Sequence, residues 1–179
     1  MGMEIERKFT VKNLPDDLEK YDYHLIEQGY LNVHPAIRVR KEDDHFYMTY
    51  KGAAGVVAKE EYNMELDESS YYHLLKKADG NIITKKRYLI PINEDAFSKE
   101  YLDTHTDDAK AFYEGRIKIE LDVFEGFFDG LVIAEVEFPS LEAADNFKPP
   151  LWFLEDVTGR KEYSNAQLTK LDKFVVEKA

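Results

Sequence analysis

At 179 residues the chain is long enough for one domain with a sizeable core, and a hydrophobic share of 44% excludes a disordered chain. A net charge of −12 argues against bulk attraction to nucleic acid or to an anionic membrane, so neither is expected as a partner, although a local basic site is not excluded. Cysteine is absent, which rules out disulfides and thiolate metal sites, so any metal must be held by oxygen or imidazole ligands.

Strand patterns dominate the first part of the chain. They cover 3–11 ("MEIERKFTV"), 24–33, 36–42, 45–52 and 58–66, with "GAAG" at 52–55 read as a flexible hairpin loop. A helix is predicted over 67–80 between a capping Asp67 and a terminal Gly80. Strands follow at 81–92, more weakly at 97–105, then at 112–124 and 131–138. A short helix is expected at 140–147, and a last helix at 164–179 capped by Ser164. There is no repeat and no linker, so residues 1–179 read as a single domain: an antiparallel sheet or barrel with helices outside. No segment reaches the ~18 apolar residues of a membrane span, and the N-terminus lacks an apolar signal core. A cytoplasmic location is expected.

The strands share one feature. Glu4, Glu6 and Lys8 take every second position of the first strand, and successive side chains of a strand point to opposite faces. Arg38 and Arg40 oppose Ile37 and Val39, while Lys51 lies with Thr49 and Tyr47 opposite Phe46, Met48 and Tyr50. Lys59, Glu61 and Asn63 oppose Tyr62, Met64 and Leu66, and Lys85 shares parity with Arg87. Arg116, Lys118, Glu120 and Asp122 oppose Ile117, Ile119, Leu121 and Val123, and Glu135 and Glu137 oppose Val132, Ala134, Val136 and Phe138.

For any one strand, a solvent-facing side is the simpler reading. Across the set that reading weakens, because the face is almost purely charged and its charges are segregated into acidic and basic pairs. Carboxylates two apart on a strand can converge on a hard cation. Basic residues on neighbouring strands make a many-donor cradle for phosphate. Closing the sheet would put both in a water-filled lumen. The pattern therefore points to metal-assisted handling of a phosphate chain. The histidines at 24, 34, 45, 73 and 105 form no metal-spaced pair.

"EIERK" resembles the E-x-E-x-K signature of the CYTH domain, or triphosphate tunnel metalloenzyme, superfamily. "RVR" (38–40), "TYKG" (49–52), "KEEYNMEL" (59–66), "KKRY" (85–88), "ELDVFEG" (120–126), "GLVIAEVEF" (130–138) and "DVTGRKEYSNAQL" (156–168) resemble its later blocks in order. The resemblance implies a mainly β, α+β fold: an eight-stranded antiparallel closed barrel, a tunnel with helices packed outside. It implies Mg²⁺ or Mn²⁺ as cofactor and a small-molecule polyphosphate or triphosphate as substrate. The favoured activity is hydrolysis of inorganic tripolyphosphate to pyrophosphate and phosphate. A class IV-type adenylate cyclase, a thiamine or nucleoside triphosphatase, and a non-catalytic polyphosphate-binding module are the alternatives. A pure binder would not need paired acids on two strands. A homodimer is left open.

By position, Glu4, Glu6, Glu135 and Glu137 resemble the family's metal ligands, and Glu61, Glu120 and Asp122 its other lumenal acids. Lys8, Arg38, Arg40, Lys51, Lys85, Arg87, Arg116 and Lys118 resemble its phosphate-facing bases, with Lys8 and Lys85 expected to be catalytic. Lys59 is expected at a tunnel mouth or exposed. Two residues depart from the pattern: Asn63 stands where an acid is common, and Asp156 replaces a Glu.

Overall fold

The alternation seen in the sequence becomes a set of antiparallel ladders. The computed structural model describes residues 2–52 and 58–175. The strands are β1 (Gly2–Val11), β2 (Tyr23–Val33), β3 (Ala36–Glu42), β4 (His45–Lys51), β5 (Ala58–Glu65), β6 (Asp79–Pro91), β7 (Lys118–Glu125), β8 (Val132–Glu137) and β9 (Phe153–Asp156). The helices are α1 (Glu68–Leu75), α2 (Lys99–Thr104), α3 (Thr106–Tyr113), α4 (Leu141–Asn146) and α5 (Asn165–Leu168). The strand order is β5-β4-β3-β2-β6-β7-β8-β1, and β1 also pairs with β5, so eight strands close into an antiparallel barrel. The short β9 takes a further stretch of β1, through Phe9 and Val11. Among the described residues, no helix is long and apolar enough to cross a membrane.

Closure makes each strand's two faces unequal. Outward-facing Phe9, Ile119, Leu121, Ala134 and Val136 are buried against Tyr101, Leu102, Ala109, Ala111, Ala143, Ala144 and Phe147 of the helical side. Asp108 ties these helices together, accepting hydrogen bonds from the Tyr101 hydroxyl at 2.5 Å and the Ser140 hydroxyl at 2.7 Å. A second buried cluster joins Ile83, Phe124 and Ile133 to Tyr30, Phe128 and Leu168. Ile83, Phe124 and Ile133 have the parity of Lys85, Asp122 and Glu135, so this cluster stops one end of the lumen with apolar side chains.

Several sequence expectations change. The stretch expected as a weak strand at 97–105 is helical: Ser98 caps α2 by accepting from the Tyr101 amide, and Tyr101 and Leu102 turn inward. The strand expected from residue 112 starts at Lys118, because α3 continues to Tyr113 and the chain reverses through Gly115 at φ 67°. The last helix is one turn, α5, capped as expected by Ser164. Beyond it the Thr169 carbonyl accepts from the Asn81 amide at 2.7 Å, so the chain docks on β6 instead of continuing to coil. Gly80, expected to end α1, instead opens β6 at φ 74°, where an added Cβ would stand 2.1 Å from the Thr169 carbonyl oxygen. Asp67 caps α1 as expected, accepting from the Ser70 amide. Most of the 52–55 loop and the tail at 176–179 lie outside the described residues.

Candidate functional site

A cavity of about 1320 Å³ opens on the charged inner wall. Glu4, Glu6, Lys8, Arg38, Arg40, Lys51, Glu61, Arg87, Glu120, Glu135 and Glu137 line it. The ladders fix their neighbours: Lys8 faces Glu135, Glu6 faces Glu137, Arg87 faces Asp122, Glu120 faces Glu135 and Lys51 faces Glu61.

The deep wall is a network of matched charges. The Lys8 ammonium lies 2.8 Å from Glu135, whose other oxygen accepts from Arg87 at 2.6 Å. Arg87 also donates to both oxygens of Asp122, at 2.7 and 2.8 Å, and is paired with Glu120. Lys85 lies 2.5 Å from Asp122. Burial works against the charge on Glu135, but Lys8 and Arg87 overcome it and hold its carboxyl well below the usual range. Lys8 keeps its proton for the same reason: Glu135 and Glu6 outweigh its desolvation. Burial, reinforced by Arg87 and opposed by Asp122, pulls Lys85 down to about 8.

The acids nearer the opening are less well balanced. Burial and the neighbouring Glu6 push Glu4 up to about 7 even though Lys51 touches it. Burial together with Glu120, Glu61 and Glu6 raises Glu137. Glu6 directly opposite Glu137 is a like-charge pair, a register that costs stability without a compensating cation, whereas Glu120 opposite Glu135 has one in Arg87, which pairs with both. Carboxylate oxygens in that arrangement suit a hard divalent ion. In the observed geometry ammonium groups lie among them. Lys51 stands 2.5 Å from Glu4 and 3.1 Å from Glu61, and Lys59 stands 3.9 Å from Glu6. Among the described residues, no three carboxylate or imidazole side chains converge closely enough to hold an ion as they stand.

The basic side has one unmatched member. Arg38 is 7% exposed, makes no ion pair with a carboxylate among the described residues, and its buried Nε has no hydrogen-bond partner. Arg40 is better held, donating from Nε to Gln28 at 2.8 Å. A buried guanidinium with an open donor on a cavity wall is a site for an anion.

Four expected residues do not reach the cavity. Lys85 and Asp122 face inward but sit beneath the wall, against the apolar stop, with the Lys85 ammonium 5.2 Å from the centre of the Phe124 ring. Arg116 precedes β7, so strand alternation does not apply to it; it is exposed and pairs with Glu114 at 2.8 Å. Lys118 opens β7 at the exposed end and lines a separate small pocket with Ile92, Phe112 and Tyr113.

Lys59, expected at a tunnel mouth or exposed, lines the cavity, as its parity with Glu61 allows, and it is joined there by Tyr30, Tyr47, Thr158, Arg160, Lys161, Asn165 and Gln167. The last five come from the "DVTGRKEYSNAQL" block, whose irregular backbone gives no periodicity to read. The two departures have structural partners. Asn63 donates to Glu61 at 2.8 Å and accepts from the Thr49 hydroxyl at 2.7 Å, which fixes the Glu61 carboxylate. Asp156 accepts from Arg7 at 2.6 Å and from the Thr158 amide at 2.9 Å, which holds that block against β1.

A closed antiparallel barrel whose inner wall is built of paired acids and bases around one cavity defines the class of the protein. The chain belongs to the CYTH domain family, whose model matches residues 2–174. It is 33% identical over 170 residues to an inorganic triphosphatase of Nitrosomonas europaea, covering 92% of this chain and 95% of that one. It is 32% identical over 178 residues to an inorganic triphosphatase of Acetivibrio thermocellus, covering 95% of each. Among solved structures, the inorganic triphosphatase NE1496 superposes with a TM-score of 0.64 at 30% identity, over 97% of this chain and 99% of that one. The PH1012 protein of Pyrococcus horikoshii, at 18% identity and a TM-score of 0.51 over 83% of this chain and 96% of that one, shares the fold.

Proposed function

We propose that this protein is a divalent-metal-dependent enzyme that hydrolyses inorganic triphosphate to pyrophosphate and phosphate in the barrel cavity, with Mg²⁺ or Mn²⁺. The observation that carries the reading is Arg38: a buried cation with an open donor, beside Arg40, Lys8 and Arg87, in a cavity that also presents acids. The names of the two curated relatives support the same substrate.

Each residue then has a task. Arg38, Arg40 and Lys51 bind phosphate oxygens, the two arginines through planar forks matched to them. Lys8 and Arg87, already oriented by Glu135 and Asp122, present fixed positive charge to the phosphorus under attack and to the leaving pyrophosphate. Glu4, Glu6, Glu61 and Glu137 would hold the cation. When bound, the cation neutralises phosphate charge and makes water a better nucleophile. Glu135, both of whose oxygens accept from cations, orients Lys8 and Arg87, and Lys85 acts on the same network from below through Asp122.

Phosphate release from inorganic triphosphate, ATP, thiamine triphosphate and pyrophosphate, each with Mg²⁺ or Mn²⁺, tests the proposal. Inorganic triphosphate is expected to turn over fastest, and EDTA to stop it. Faster release from ATP or thiamine triphosphate would overturn the substrate, and binding without any release would overturn the enzyme.

A further inference from the structure

We propose that Lys51 is an internal counter-ion that the divalent cation displaces from Glu4 and Glu61, and that the displaced ammonium then serves the triphosphate. The inference rests on the function proposed above, in that it takes those carboxylates as ligands of the cation.

Lys51 ends β4 and faces Glu61 on β5 in the ladder. Its ammonium lies 2.5 Å from Glu4 on β1 and 3.1 Å from Glu61, so one positive charge bridges two strands at the seam where the barrel closes. Two acids on adjacent strands are the donors a hard cation takes, and a divalent ion and an ammonium cannot share the gap between them.

Lys8 offers a contrast. Its partner Glu135 is engaged on its other side by Arg87, so Lys8 belongs to a closed set of charges. Lys51 has no such lock. Its side chain is 18% exposed, it borders the cavity, and its flexible stem lets the ammonium turn while the backbone stays in register. Arg38, whose Nε has no hydrogen-bond partner, lines the same cavity, so a triphosphate bound there gives the displaced ammonium an anion to pair with. Cation entry and phosphate binding are therefore coupled through one side chain: each event favours the other, and the coupling is reciprocal.

The test uses Mn²⁺ alone, titrated calorimetrically and by electron paramagnetic resonance into EDTA-stripped protein. Lys51→Met removes the competing charge and is expected to bind Mn²⁺ roughly tenfold more tightly than wild type, a difference of about 1.4 kcal/mol. Lys51→Arg keeps the charge and is expected to bind as wild type does. In EDTA, Lys51→Met should melt below wild type, because Glu4 and Glu61 lose their counter-ion, and Mn²⁺ should raise its melting temperature by more. Lys51→Met binding Mn²⁺ no better than wild type would overturn the inference while leaving the cation site standing. No Mn²⁺ binding by wild type at millimolar concentration would instead overturn the cation site on which it rests. Lysine side-chain nuclear magnetic resonance on the wild-type protein tests the same point without a variant. Saturating Mg²⁺ should shift the Lys51 ammonium signal, and an unmoved signal would overturn the exchange.

Discussion

The Lys85 ammonium lies 2.5 Å from the Asp122 carboxylate, with side-chain exposures of 0% and 1%, beneath the wall of the cavity. Two strands supply the pair: β6 brings Lys85 and Arg87, and β7 brings Asp122 opposite Arg87. Asp122 therefore serves two cations at once, and Lys85, sealed beneath the wall, has no water as a substitute.

That sharing sets an order of stability effects. Removing one partner of a buried pair costs on the order of 3–5 kcal/mol, because the other charge is left without compensation. Lys85→Met removes one cation and leaves Asp122 with Arg87, whereas Asp122→Asn weakens the hold on both Lys85 and Arg87. Urea denaturation at neutral pH should find Asp122→Asn the more damaging of the two. The reverse order would show that Lys85, not Asp122, anchors the network.

Arg38 should behave in the opposite way. It is a buried cation with no ion pair among the described residues and an Nε without a partner, and its burial is little more than offset by the pull of Tyr30 and Glu61. Arg38→Met is expected to leave the melting temperature unchanged or raised, while weakening triphosphate binding roughly tenfold or more, the scale of one lost charge-assisted contact. A substitution that stabilises the protein while impairing function marks a residue retained for its ligand. A large fall in melting temperature with unaltered KM would show Arg38 to be structural.

Glu4 gives a pH signature. Its pKa is raised from 4.5 to about 7 by burial and by Glu6. The folded protein thus binds more protons than the unfolded chain across that window, so the stability linked to this group is complete below about 4.5 and lost as pH rises through about 7. Glu4→Gln, which cannot ionise, should gain on wild type as pH rises from 5 to 8 in EDTA, by at most about 3 kcal/mol. Thermal melts of the two proteins across that range check the sign. A gap that narrows with rising pH would mean that the Lys51 contact outweighs burial.

The barrel was legible because its strands need opposite chemistry on their two faces, so Ile119, Leu121 and Val123 announce the same strand as Glu120 and Asp122. The acid and base pairs were legible for the same reason. Depth along the lumen was not. Alternation says that Lys85 points inward, but not that Ile83, Phe124 and Ile133 close the lumen beneath it. The weak strand expected at 97–105 failed because the deciding signal was a single cap, Ser98, which outweighed a short aromatic pattern. The cavity residues from Thr158 to Gln167 lie on turns and a single helical turn, where neither period applies.

Arg116 and Lys59 draw that boundary most sharply, because parity places both in the lumen and only Lys59 is there. Arg116 has the spacing of a lumenal base, but it lies before β7 and pairs with Glu114 on the surface, away from the cavity. Lys59 has the parity of Glu61, lines the cavity, and stands 3.9 Å from Glu6. An exposed ion pair contributes about 0–1 kcal/mol, so Arg116→Ala should change neither stability nor kcat/KM for triphosphate by more than about twofold. Lys59→Ala should act on the acids it faces. Without its charge, Glu6 lacks its nearest cation, so the optimum Mg²⁺ or Mn²⁺ concentration should shift downwards, while binding of the triphosphate weakens. Steady-state kinetics at varied metal and varied triphosphate separate the two effects. A marked loss in Arg116→Ala, or a Lys59→Ala variant indistinguishable from wild type in both titrations, would show that the working face of the barrel is turned differently from the one described.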